Sequence, residues 1–169
     1  MIKFYSVCFC LFLLVSLPTC AQSKFPGLTV VETSHGLYEV EVLGKQKAAN
    51  TLTQSMNMLK GEKLLLKTDT VIADIGKTFG VEFTINTGNQ TAILPVKIVW
   101  EFPKPMKNPN NGKVYKTSEL DQAIITNQPM FHSYTLEYDY EFVEGLWSFK
   151  VFYNDVEIYK HSFWVMLPL

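Results

Sequence analysis

The stretch EGLWSFKVFYNDVEIYKHSFWV, Glu144 to Val165, holds seven aromatic side chains around a two-residue turn signal, Asn154-Asp155. A turn of that length pairs Tyr153 with Val156 and Val151 with Ile158. Period-2 alternation then puts Trp147, Phe149, Val151 and Tyr153 on one face, apolar enough to be core. Continued without a break, the register would bury Lys160 and Ser162 and expel Phe163 and Val165. One extra residue, a β-bulge at Lys160 or His161, turns Phe163 and Val165 inward again and Trp164 outward. Phe152, Tyr159 and Trp164 are then the aromatics without a core role. They are expected on the outer face as candidate partner-binding residues, able to stack on a sugar or anchor a protein, unless the 45–60 segment or the N-terminal tether covers them.

The same alternation recurs upstream. In GLYEVEV (36–42), Tyr38, Val40 and Val42 share a face, and LTVVET (28–33) is either part of that strand or separated from it at Ser34-His35-Gly36. FGVEFTI (79–85) points Phe79, Val81, Phe83 and Ile85 inward, and LPVKIVWEF (94–102) does so with Val96, Ile98, Trp100 and Phe102, as a central strand would. EKLLLKTDTVIADIG (62–76) supplies one strand or two. PKPMKNPNNGK (103–113) reads as a loop and hairpin, and SELDQAI (118–124) as a helical turn or two. FHSYTLEYDYEF (131–142) places His132, Tyr134, Leu136, Tyr138 and Tyr140 together. Residues 45–60 fit a short helix or a long loop equally well. Strands at this spacing with no long helix between them predict an all-β chain, an immunoglobulin-like antiparallel β-sandwich of about seven to nine strands.

Residues 1–21 read as a signal peptide: Lys3, an apolar run from Ser6 to Leu17 too short to span a bilayer, and Ala21 before the cut. The expected layout is this leader, then a tether with a possible first strand over 22–35, then the sandwich over 36–169. The competing reading is a lipoprotein acylated at Cys20, although Pro18 and Thr19 fit a lipobox poorly. Localisation is accordingly expected to be periplasmic or extracellular, with membrane contact only if Cys20 is lipidated. Cys8, Cys10 and Cys20 all lie in this segment, so the mature domain has no internal disulfide and no Cys-based zinc site.

All 15 basic residues are lysine and the net charge is −1. Without an arginine fork, and with a slightly acidic chain, nucleic-acid binding is disfavoured. No nucleophile elbow, zincin motif or phosphate loop is present, so no catalytic residue and no cofactor is assigned and the chain is not expected to be an enzyme. The acid pairs Glu39/Glu41 and Glu137/Asp139 read as solvated strand faces. His35, His132 and His161, with Met56, Met58, Met106 and Met130, are the residue types of a soft copper site. No two of the histidines have ligand spacing, so no metal site is expected.

GLYEVEV, IGKTFGVEF, NPNNGK and above all the run from Glu141 to Val165 resemble the bacterial family called domain of unknown function 3859, over roughly Gly36 to Val165. The most specific part is Gly-x-Trp-x-Phe-x-Val-x-Tyr at Gly145 to Tyr153. The resemblance implies a small exported β-sandwich and carries over no activity, ligand or site residue. The reading is a non-catalytic binding or structural module of the cell envelope, its partner a protein or glycan; the alternative is a periplasmic carrier of a small ligand or metal. An exposed aromatic patch favours the first, a pocket lined by His and Met the second.

Overall fold

The computed structural model describes residues 27–168; residues 1–21, expected above to be a leader, and the three cysteines lie outside them. Among the described residues there are nine strands, one 3-10 turn (Asp139–Glu141) and no α-helix. The strands are β1 (Thr29–Lys47), β2 (Ser55–Leu66), β3 (Thr70–Ile72), β4 (Thr78–Asn86), β5 (Ile93–Lys107), β6 (Val114–Ile125), β7 (Pro129–Thr135), β8 (Gly145–Tyr153) and β9 (Val156–Met166). They form two facing sheets, ordered β2-β1-β4-β7 and β3-β9-β8-β5-β6. Every pairing is antiparallel except that of the three-residue edge strand β3 with β9.

Alternation makes the core. Phe79, Val81, Phe83 and Ile85 from β4 are fully buried against Trp147, Phe149, Val151, Phe163 and Val165, and Val96, Ile98, Trp100 and Phe102 of β5 join them. The β5 strand is central as expected, flanked by β6 and β8. Rings from the two sheets meet edge to face, as Phe79 does with Trp100 and Trp147, the geometry that adds to burial energy for aromatic pairs.

Of the two readings of the first strand, the continuous one holds: LTVVET from Thr29 onward and GLYEVEV both lie in β1, which starts within the 22–35 segment where a first strand was expected as possible; an irregularity between Glu32 and Ser34 keeps both halves in register with β4. Other expectations are corrected. Residues 45–60 are neither helix nor long loop: β1 runs to Lys47, a turn occupies 48–54, and β2 begins at Ser55. SELDQAI is β-structure inside β6, paired residue for residue with β5, because tertiary pairing overrides a weak local helical preference. In FHSYTLEYDYEF the shared face ends at Leu136, where the 3-10 turn follows and leaves Tyr138 exposed.

The β8–β9 hairpin decides the site. Asn154 and Asp155 have φ of 50° and 61°, a type I′ turn, and Tyr153 pairs with Val156. The bulge comes earlier than expected, however. Phe152 faces Glu157 and Val151 faces Tyr159, so Ile158 is the extra residue. Residues directly opposite on an antiparallel pair share a face. Tyr159 and His161 therefore turn inward with Phe163 and Val165, instead of Tyr159 lying outside. Gly145 opens β8 at φ +133°, where a Cβ would come within 2.7 Å of the Pro103 side chain; both the backbone angle and the close approach call for glycine.

Candidate functional site

The turn between β1 and β2 folds across one end of the sandwich. Glu119 N–H donates to the Asn50 carbonyl (3.1 Å), Leu52 N–H to Ser118 Oγ (3.3 Å), and Asn108 Nδ2 to the Leu52 carbonyl (2.8 Å). Leu52, fully buried, is the apolar peg of this attachment. Beneath it opens a cleft of about 350 Å³ whose walls include Met56, Asn57, Trp100, Gln122, His132 and Glu137.

Two buried polar atoms of this wall have no hydrogen-bond partner in the protein: Trp100 Nε1 and His132 Nδ1. Trp100 itself is only 4% exposed. His132 Nε2 lies 3.2 Å from Gln122 Oε1. An amide oxygen only accepts, so the ring donates there and Nδ1 carries a lone pair. Burial pushes His132 down to about 4, which keeps the ring neutral. Of the three carboxylates that line the cleft, Glu62 is exposed and the other two are already engaged. Glu137 binds Lys45 Nζ (2.7 Å) and Asn57 Nδ2 (2.8 Å). Glu141, fully buried, accepts from Tyr134 Oη (2.6 Å) and from the backbone N–H groups of Glu137 (2.6 Å) and Tyr138 (2.8 Å). Burial raises the Glu141 carboxyl despite those donors.

The expected outer aromatic set does not assemble. Trp164 is exposed, at 48%, beside Leu146, Ile72 and Met166. Phe152 is half-buried at the far end of the hairpin, where it borders a shallow groove with Pro95 and Lys97. Six residues of strand separate the Leu146 and Phe152 positions on β8, roughly 20 Å, so Phe152 and Trp164 do not share a patch. Tyr159 is not on this face at all: its ring stacks on Phe83 at 17° and 5.4 Å, between the sheets.

Instead Tyr159 and His161 join Glu32 and His35 at the seam where β9 faces β1. The two imidazoles lie with ring centroids 4.4 Å apart. Glu32 takes contacts from His35 Nδ1 (2.5 Å) and His161 Nδ1 (2.9 Å) as well as the Tyr159 hydroxyl. Asp69, on the crossing between β2 and β3, places Oδ1 3.2 Å from His35 Nε2 and 2.9 Å from His161 Nε2. Partial burial acts to raise the Glu32 carboxyl, but Tyr159, His35 and His161 together outweigh it and hold the group below its ordinary range.

Linear spacing missed this pairing because its members are contributed by both sheets. Part of the signal was present: counting alternation backwards from the inward Phe163 places His161 on the core face, whereas Tyr159 follows only once the bulge is placed at Ile158. The soft copper set does not form. His132 and Met56 belong to the cleft, Met106 is buried in the core and Met58 is exposed, all apart from the seam.

Among curated proteins, none matches the chain in sequence. An immunoglobulin-like protein from Pseudomonas aeruginosa, of known crystal structure, superposes with a TM-score of 0.60 at 18% identity, covering 85% of this chain and 100% of that one. At that identity the likeness is one of fold, and it agrees with the two-sheet architecture read above. The sequence profile of one family spans residues 29–165, from the first residue of β1 to the penultimate residue of β9. The chain belongs to the family described as Domain of unknown function (DUF3859).

Proposed function

We propose that the protein is an exported, non-catalytic binding module of the bacterial envelope that holds a small, uncharged, hydroxyl-rich ligand in the cleft beneath the β1–β2 turn. Export rests on the leader-like composition of residues 1–21. The ligand reading rests on one observation: the buried Trp100 Nε1–H, which has no acceptor in the protein. A buried donor left unmade costs about 1–3 kcal/mol, and a ligand oxygen would recover it. His132 Nδ1, an acceptor on the same wall, asks for a ligand donor. A hydroxyl group supplies both functions, and a sugar carries several of them. The nearby Glu137 and Glu141 carboxylates disfavour an anion.

The engagement of those carboxylates with Lys45, Asn57, Tyr134 and backbone N–H groups is what favours binding over acid–base chemistry. A second reading, docking of an envelope protein, draws on the exposed apolar group Ile72, Leu146, Trp164 and Met166.

Titration of the mature protein with mono- and disaccharides, followed by the indole N–H resonance of Trp100, tests the proposal. Saturable shifts of that resonance, weakened in His132→Phe, are expected, and calorimetric saccharide affinity should fall in Trp100→Phe. Saccharides that leave the resonance unmoved, or that shift only Trp164, would overturn the proposal.

A further inference from the structure

We propose that Glu32, His35 and His161 form a binding site for a divalent first-row metal ion of the zinc type, at the seam between β1 and β9 and separate from the cleft. The three residues present one nitrogen or oxygen each within 4.8 Å of one another. The adjoining Glu32–imidazole contacts, 2.5 and 2.9 Å, are close to the roughly 3.3 Å at which a tetrahedral ion with bonds of about 2.0–2.1 Å holds its ligands. Opening by a fraction of an ångström admits the ion.

The donor inventory points the same way. A neutral imidazole carries one N–H, yet both nitrogens of both rings lie against carboxylate oxygens, Nδ1 on Glu32 and Nε2 on Asp69. With each Nε2–H given to Asp69, the two Nδ1 lone pairs confront Glu32, an acceptor with no hydrogen to offer. A cation placed among those three groups converts that opposition into coordination. Asp69 then holds both rings by their outer nitrogens, the supporting carboxylate usual behind metal-bound histidine. Tyr159 holds the second ligand type, donating to Glu32 from the buried side. His35 and His161 are 15% and 13% exposed and Asp69 is 62% exposed, so the site lies just below the surface. Imidazole with carboxylate and no thiolate or thioether selects Zn(II), or Cu(II) in competition, rather than Cu(I).

The test is titration of the chelator-treated mature protein with Zn(II) and, as a spectroscopic probe, Co(II). One equivalent of Zn(II) should bind with submicromolar affinity and displace Co(II) from a site with visible ligand-field bands. His35→Gln and His161→Gln should each weaken binding by about 100-fold or more and Asp69→Asn by about 10- to 100-fold, while His132→Gln leaves it unchanged. Should a variant fail to fold, imidazole nitrogen resonances of the unsubstituted protein serve instead: zinc must shift Nδ1 of His35 and His161. No saturable binding, binding indifferent to His35→Gln and His161→Gln, or zinc-induced shifts at His132 alone would overturn the assignment. Saccharide binding at the cleft is read independently of all these outcomes.

Discussion

Tyr159 donates its phenolic hydrogen to Glu32 across 127 residues of chain, tying the last strand to the first where the two sheets face each other. Burial, then the Glu32 acceptor and its charge, push the hydroxyl well above its ordinary range. Tyr159→Phe keeps the stack on Phe83 and removes only the bond to a charged acceptor. It should cost about 1.5–3 kcal/mol in urea unfolding. A change under about 0.5 kcal/mol would place the ring on the solvent side.

His132 gives the fold an acid-sensitive limb. Its pKa is lowered from 6.5 to about 4 by burial, so between those values the unfolded chain binds a proton that the folded one refuses. The associated stability is complete above about pH 6.5 and is lost as pH falls towards 4, up to roughly 3 kcal/mol in all. Unfolding midpoints measured from pH 7 to pH 4 should therefore fall more steeply for the unsubstituted protein than for His132→Phe. Parallel curves would mean that the ring is solvated.

The two tryptophans of the last hairpin should differ sharply in the cost of truncation. Trp147 is fully buried and its Nε1 donates to the Val143 carbonyl at 2.8 Å. Trp147→Ala leaves a cavity and an unpaired carbonyl, and should cost about 3–5 kcal/mol or prevent folding. Trp164 lies half in solvent, and Trp164→Ala should cost about 0.5 kcal/mol or less. Denaturant melts compare them directly.

The turn offers a gain in stability. Asp155 sits at φ 61°, where glycine pays no Cβ penalty, and the second central position of a type I′ turn favours glycine. Asp155→Gly should raise stability by a few tenths to about 1 kcal/mol, read as a higher thermal midpoint with unchanged spectra.

Reading alternation from the sequence recovers the two-sheet architecture, the inward Phe79-Val81-Phe83-Ile85 row and the opposite placement of Trp147 and Trp164, because each strand buries a single face and its period is 2. It fails where a single residue of register is undetermined. Lys160, His161 and Ile158 would all restore Phe163 and Val165 to the core as the extra residue, and only the pairing of Val151 with Tyr159 selects Ile158. That choice moves Tyr159 from the outer face to the inner one beside His161, and with it the contact that ties Glu32 into the seam. The cleft was illegible for a different reason: its roof is the 48–54 turn, whose attachment to Ser118 and Asn108 leaves no local pattern.

The placement of the bulge at Ile158 is what the seam depends on, and nuclear Overhauser contacts of the Tyr159 ring test it most directly. The structure predicts cross-peaks from Tyr159 to the rings of Phe83 and Phe149, whose centroids lie 5.4 and 6.0 Å away, together with contacts between the imidazoles of His35 and His161. A Tyr159 ring that shows neither Phe83 nor Phe149 contacts and broadens instead with a soluble paramagnetic probe would contradict the register, and the site built on it.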